Sequence, residues 1–163
     1  MNKIGLTIGK FAPFHKGHEY LVNTAISEVD ELYIMVYETD VTDMSIEKRA
    51  DLIKEIYPKV NIIYARNAPK QYGMDEESVK LQTDYIKEKT KGLEVTHFYS
   101  SEEYGEHVAV ALKCIDRRVD NLREAVPISA GKIRADLEKY KEFLNEIVYK
   151  AHTKEWGKAN EEE

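Results

Sequence analysis

The sequence predicts an α/β fold: a Rossmann-like, doubly wound parallel sheet of about five strands, with helices on both faces and further helices at the C-terminus. Three observations carry this. Short apolar runs rich in β-formers alternate with amphipathic segments of about 10 to 15 residues, the signature of βαβ units. A length of 163 residues suits one domain with a sizeable core. No repeat, low-complexity linker or shift in composition divides the chain, so one domain is expected over residues 1–163, with the tail from about 153 peripheral.

Residues 4–8 form the first apolar run, ending at Gly9. Beyond a turn, Leu21, Val22, Ala25, Ile26 and Val29 fall on one helical face. Residues 32–37 read as a second strand. Ser45 can cap a helix running to about Tyr57, with Pro58 just past its end. Residues 60–64 read as a third strand, 76–89 as helix, 95–99 as a fourth strand and 102–112 as helix. A short fifth strand at 113–116 precedes a loop to Pro127, and from Ser129 the pattern is helical nearly to the end. Such sheets bind ligands beyond the carboxyl ends of their strands, at the topological switch point. That gathers the Gly9 turn, the segments after Tyr37 and Tyr99, and the Ser129 region around one crevice.

Composition narrows the function. Hydrophobic residues make up 42% and charged residues 33%, a globular mix. No apolar run approaches the roughly 20 residues of a spanning helix, so no membrane partner is expected. The N-terminus lacks a signal-peptide pattern, and the lone Cys114 suits a reducing compartment, which makes the cytoplasm the expected location. A net charge of −6 argues against a nucleic-acid partner but leaves room for a locally positive nucleotide pocket.

Two motifs carry chemistry. The first, Gly9-Lys10-Phe11-Ala12-Pro13-Phe14-His15-Lys16-Gly17-His18, follows the first strand and opens a helix. A helix start offers backbone N–H groups and a positive dipole end to an anion. Gly17 lets a phosphate approach closely, His15 and His18 can each donate to its oxygens, and Lys10 and Lys16 add charge. H-x-x-H spacing is also half of a metal site, but the remaining histidines are His97, His107 and His152 and there is no Cys cluster, so no metal ligands are expected from side chains. The second motif, Val126-Pro127-Ile128-Ser129-Ala130-Gly131-Lys132-Ile133-Arg134, places Ser129 as an N-cap, with Gly131, Lys132 and Arg134 around a second helix start.

The first string resembles the (H/T)-x-G-H signature of the nucleotidylyltransferase superfamily, and "GKFAPFHKGH" is similar above all to NadR-type nicotinamide mononucleotide adenylyltransferases. The second resembles the superfamily's I-S-x-T-x-I-R element, whose Ser and Arg bind the β- and γ-phosphates; Gly131 stands where Thr is usual. Ser100-Ser101-Glu102-Glu103-Tyr104-Gly105 is similar to the S-S-E-x-Y-G segment of NadR-type enzymes. The resemblance extends from Ile4 to about Tyr149. It implies transfer of AMP from ATP to a phosphorylated acceptor, nicotinamide mononucleotide in first place, with release of pyrophosphate in NAD synthesis.

The resemblance also implies roles. His15, His18 and Arg134 are the catalytic candidates: His18 on the α-phosphate, His15 on the triphosphate, Arg134 with Ser129 on the leaving pyrophosphate. Gly9, Lys10, Phe11, Lys16, Gly17, Ser129, Gly131, Ser101 and Glu102 are the nucleotide-binding candidates, although Ser101 and Glu102 also suit plain helix capping. Arg49 and Tyr72 are acceptor-side candidates, Arg49 competing with the reading of a surface arginine paired to a carboxylate. Mg²⁺ is expected with ATP, and oligomers are common among relatives, so a homo-oligomer is compatible. The acceptor loop lacks the Trp usual in NadR-type proteins, the only Trp being Trp156. Two alternatives therefore stay open: an adenylyl- or cytidylyltransferase for another acceptor, such as phosphopantetheine or a phosphorylated alcohol, and a catalytically silent nucleotide-binding sensor. Within these residues there is no G-x-x-x-x-G-K-[ST] string, so no kinase unit is expected.

Overall fold

Alternating strand and helix signals become alternating strands and helices. The computed structural model describes residues 2–71, 73–120 and 123–161, with side chains as far as Thr153. In chain order the elements are β1 (Ile4–Gly9), α1 (Lys16–Glu28), β2 (Glu31–Tyr37), α2 (Ile46–Ile56), β3 (Asn61–Ala65), α3 (Glu76–Lys89), β4 (His97–Ser100), α4 (Gly105–Leu112), β5 (Ile115–Arg118), α5 (Ala130–Ala135) and α6 (Glu146–Glu161). The strands form one sheet in the order β3-β2-β1-β4-β5, and each neighbouring pair is parallel. The chain starts in the middle, winds to one edge, then crosses back to the other. The switch point lies between β1 and β4.

Strand alternation divides the core. Leu32, Ile34 and Val36 of β2 join one buried cluster with Val22 and Ala25 of α1, Leu52 and Ile53 of α2, Ile133 of α5 and Val148 of α6. Met35 and Tyr37, one residue out of phase, join the opposite cluster with Ile86 of α3 and Val108 and Ala109 of α4. Each buried Val, Leu, Ile or Met among them contributes about 1.5–3 kcal/mol. Burial on both faces explains why β2 reads as a continuous apolar run.

Three predicted boundaries are corrected. The helix expected from residue 102 begins at Gly105, because Ser100 Oγ donates to the Glu102 carbonyl (3.1 Å) and holds residues 101–104 in a turn. The fifth strand is shifted from 113–116 to Ile115–Arg118, because Lys113 ends α4 in the left-handed conformation (φ 55°). The helix expected from Ser129 onward is broken. α5 is six residues long and stops at Asp136, whose carboxylate accepts the Lys139 N–H (3.1 Å), and Asn145 Oδ1 accepts the Ile147 N–H (3.0 Å) at the start of α6. Short polar side chains that bond nearby backbone favour turns over helix continuation.

Candidate active site

A cavity of about 720 Å³ lies beyond the carboxyl ends of the strands, where β1 and β4 diverge. Its walls come from the Gly9 turn, α1, the end of β2, α3 and the residues just before it, the segment after β4 with the start of α4, the loop after β5 and α5. This is the crevice that the strand order demands.

The turn after β1 is tightly built. Phe11 holds a positive φ of 50° and Ala12-Pro13 is a cis peptide. The Phe11 ring folds back over Gly9, where an added Cβ would meet it at 3.0–3.3 Å. Phe11 then stands edge-on to His18, with ring centroids 4.9 Å apart, while Phe14 stacks against His18 at 5.5 Å.

The two histidines form a reciprocal capping box. His15 is the N-cap of α1, and its Nδ1 accepts the N–H groups of Gly17 (3.0 Å) and His18 (3.4 Å). His18 Nδ1 accepts the His15 N–H at 3.1 Å. Because both Nδ1 atoms accept, each neutral ring carries its proton on Nε2 and can donate from there. Burial, then the charge of Arg123, lowers the His15 pKa from 6.5 to about 4. Burial first, then His15 and Arg123, lowers that of His18 well below 6.5. The pair is two neutral donors. The N–H groups of Gly17 and His18 are spent on His15, and an added Cβ on Gly17 would lie 2.8 Å from the His15 ring. Here glycine makes room for an imidazole.

The other candidates divide. Gly9, Lys10, Phe11, His15, Gly17, His18, Ser101, Glu102 and Arg134 all line the cavity. Arg134 is held there by a bond from Nη1 to the Ala12 carbonyl, 2.7 Å, which fastens α5 to the β1 turn. Ser129 caps α5, its Oγ accepting the Lys132 N–H at 3.4 Å, while its neighbours Ile128 and Ala130 reach the lining. Gly131 is exposed, and a side chain there would meet only Arg134 Nη2, at 3.8 Å. Nothing in the packing requires glycine at that position. Lys16 is exposed on α1 and is not among the lining residues. Ser101 and Glu102 do not cap α4, whose N-cap is Tyr104.

Arg49 takes a place that neither reading of it anticipated. It is only 2% exposed, and it is not a surface arginine paired to a carboxylate. Its Nε donates to the Met44 carbonyl (3.2 Å), and Nη1 donates to the carbonyls of Tyr37 (2.9 Å) and Lys10. It clasps the ends of β1 and β2 to the loop before α2 and is not among the lining residues. Tyr72 lies outside the described residues.

Thr7, Tyr104, His107, Asp120 and Arg123 also line the cavity and were not singled out from the sequence. Only Arg123 had a usable signal, a basic residue six positions before Ser129 in the loop feeding the second motif. Among the described residues, no group of three or more His, Cys, Asp or Glu could hold a metal ion, and no helix is long and apolar enough to cross a membrane.

Comparison with known proteins meets this geometry. Residues 5–72, from β1 through β3, match the citrate lyase ligase C-terminal domain, a nucleotidyltransferase-like family. The chain is also 29% identical to the trifunctional NAD biosynthesis/regulator protein NadR of Salmonella typhimurium (strain LT2) and of Escherichia coli (strain K12), over 86% of this chain. It spans about 38% of the length of those relatives. Among solved structures, NadR protein in complex with NAD and AMP-PNP superposes with a TM-score of 0.58 at 22% identity, over 90% of this chain and 46% of that one. A bifunctional NMN adenylyltransferase/ADP ribose pyrophosphatase from Francisella tularensis, complexed with AMP and a Mn ion, gives 0.63 at 18% identity, over 88% of this chain and 44% of that one. The chain is thus similar in sequence to NadR over most of its own length, and its parallel Rossmann-like α/β sheet is the fold of these solved structures.

Proposed function

We propose that this chain forms one nucleotidyltransferase unit that moves AMP from ATP to a phosphorylated acceptor, nicotinamide mononucleotide in first place, and releases pyrophosphate. The observation that carries it is the His15–His18 pair, both lining a cavity at the β1/β4 switch point with both Nδ1 atoms accepting backbone N–H groups, which leaves Nε2 of each ring to donate, and Arg134 lining the same cavity. Similarity to proteins named for NAD biosynthesis supports the acceptor.

In the proposed reaction a phosphate oxygen of the acceptor attacks the α-phosphorus in line, and the bond to the bridging oxygen of pyrophosphate breaks. No covalent enzyme intermediate is needed. Catalysis is positioning and stabilisation of charge on phosphoryl oxygens. His18 donates from Nε2 to an α-phosphate oxygen, and His15 donates to the triphosphate. Arg134 and the Ser129 hydroxyl take the leaving pyrophosphate, with Lys10 adding positive charge. Mg²⁺ enters as part of the MgATP substrate, held by phosphate oxygens, as this ion prefers. The half-buried lone Cys114 suits a cytoplasmic setting.

Pyrophosphate release is the test, from ATP and separately from CTP, against a panel of nicotinamide mononucleotide, phosphopantetheine and phosphorylated alcohols. Release with ATP and nicotinamide mononucleotide is expected. Release with a different acceptor keeps the reaction and replaces the NAD assignment. ATP binding with no release across the panel makes the chain a nucleotide sensor.

A further inference from the structure

Arg123 sits in the loop that joins β5 to α5, and Asp120 shapes that loop. The Asp120 carboxylate accepts the N–H groups of Ala125 (2.9 Å) and Val126 (3.0 Å), and its carbonyl accepts the Arg123 N–H (2.8 Å). Both residues hold a positive φ, 52° and 53°. Non-glycine residues keep that conformation only where the surroundings fix it. The turn brings Arg123 to the cavity wall, where Nη1 donates to the Ile128 carbonyl at 3.1 Å.

One arm of the guanidinium is thereby anchored and the other faces Glu102. Arg123 Nη2 lies 3.8 Å from Glu102 Oε1, an ion pair too long for a hydrogen bond, with side chains 44% and 57% exposed. Such a pair is weak and cheaply broken. Arg134 is built on the same plan, with Nη1 anchored on the Ala12 carbonyl. The cavity therefore carries two arginines, each anchored by one arm to a loop carbonyl. The charge of Arg123 reaches both imidazoles, contributing to their lowered basicity.

We propose that Arg123 is a binding residue for the polyphosphate tail of the nucleotide, and that Glu102 is the competitor which the phosphates displace. Phosphate oxygens match the guanidinium fork better than a distant carboxylate does and displace it. Glu102 then contributes to nucleotide binding by leaving. The inference rests on the reading of this cavity as a nucleoside triphosphate site.

Calorimetric titration of MgATP and of AMP into the wild type, Arg123→Ala, Arg123→Lys and Glu102→Gln separates the possibilities. Arg123→Ala is expected to weaken MgATP by about tenfold or more, the worth of one charge-assisted contact, while AMP, which lacks the β- and γ-phosphates, binds as before. Arg123→Lys keeps the charge without the fork and falls between. Glu102→Gln removes the competitor and tightens MgATP; this result stands even if Arg123→Ala fails to fold. Unchanged MgATP affinity in Arg123→Ala, equal weakening of AMP, or weaker MgATP binding in Glu102→Gln overturns the proposal while leaving the nucleotide site intact. A wild type that binds neither ligand overturns the nucleotide reading itself, and this inference with it.

Discussion

His15 and His18 cap each other: His15 Nδ1 accepts the His18 N–H, His18 Nδ1 accepts the His15 N–H, and the rings stack with centroids 3.7 Å apart. Structure and proposed chemistry thus use different atoms of the same rings, Nδ1 for the helix start and Nε2 for the substrate. The two uses are separable. Asn is a good N-cap and keeps an acceptor at position 15, so His15→Asn should cost no more than about 1 kcal/mol of stability. Loss of the Nε2 donor should lower kcat by roughly 10² or more, and His18→Ala should do the same with the fold intact. Steady-state kinetics beside urea unfolding reads both, and normal kcat in either variant removes that residue from the reaction.

Stability should fall in mild acid. The folded His15 pKa is about 4 against 6.5 in the unfolded chain. Between those values the unfolded chain binds more protons, so the contribution is full above pH 6.5 and is lost as pH falls toward 4. The loss amounts to about 3 kcal/mol from His15 alone, with His18 acting in the same direction. Urea unfolding at pH 7, 5.5 and 4.5 follows it, with His15→Asn as the control that flattens the slope. Stability unchanged from pH 7 to 5 would mean that the imidazoles are not held neutral.

Gly17→Ala has an informative sign. In an ordinary helix, Ala in place of Gly stabilises by up to about 1 kcal/mol. Here the new Cβ would fall 2.8 and 2.9 Å from Cε1 and Nδ1 of His15, so the ring must move and release its cap. A net loss of about 1 kcal/mol, together with reduced turnover, is expected. Net stabilisation with full turnover would show that the His15 ring has room to spare.

The strands, α2 and α3 were legible because apolar runs, helical periodicity and the cap at Ser45 are local signals. Both motif segments were legible as strings, and they meet at one cavity, where Arg134 bonds to Ala12. His15 as an N-cap was not anticipated, since Ser, Thr, Asp and Asn are the usual caps, yet its three-residue spacing to His18 is that of a capping box. Arg49 and Arg123 were the hardest to place. Arg49 bonds to carbonyls brought together only by the fold, those of Lys10 and Tyr37, whereas Arg123 bonds to Ile128 five positions on, inside a loop without periodic signal. The break at Asp136 was missed because the apolar pattern continues through it while a single carboxylate redirects the backbone.

Arg49 should behave as a structural clasp. Truncation in Arg49→Ala removes the buried donors to the carbonyls of Lys10, Tyr37 and Met44 and should cost about 2–4 kcal/mol. Thermal or urea unfolding measures it. Unchanged stability with a raised KM for the acceptor would return Arg49 to the acceptor site.

Transfer at the α-phosphorus is tested most directly by phosphorus NMR of a reaction containing MgATP and nicotinamide mononucleotide. ATP signals are expected to give way to pyrophosphate and a dinucleotide diphosphate in equal amounts, and His18→Ala to slow this by roughly 10² or more. Appearance of ADP and inorganic phosphate instead would place the attack at the γ-phosphorus and contradict it.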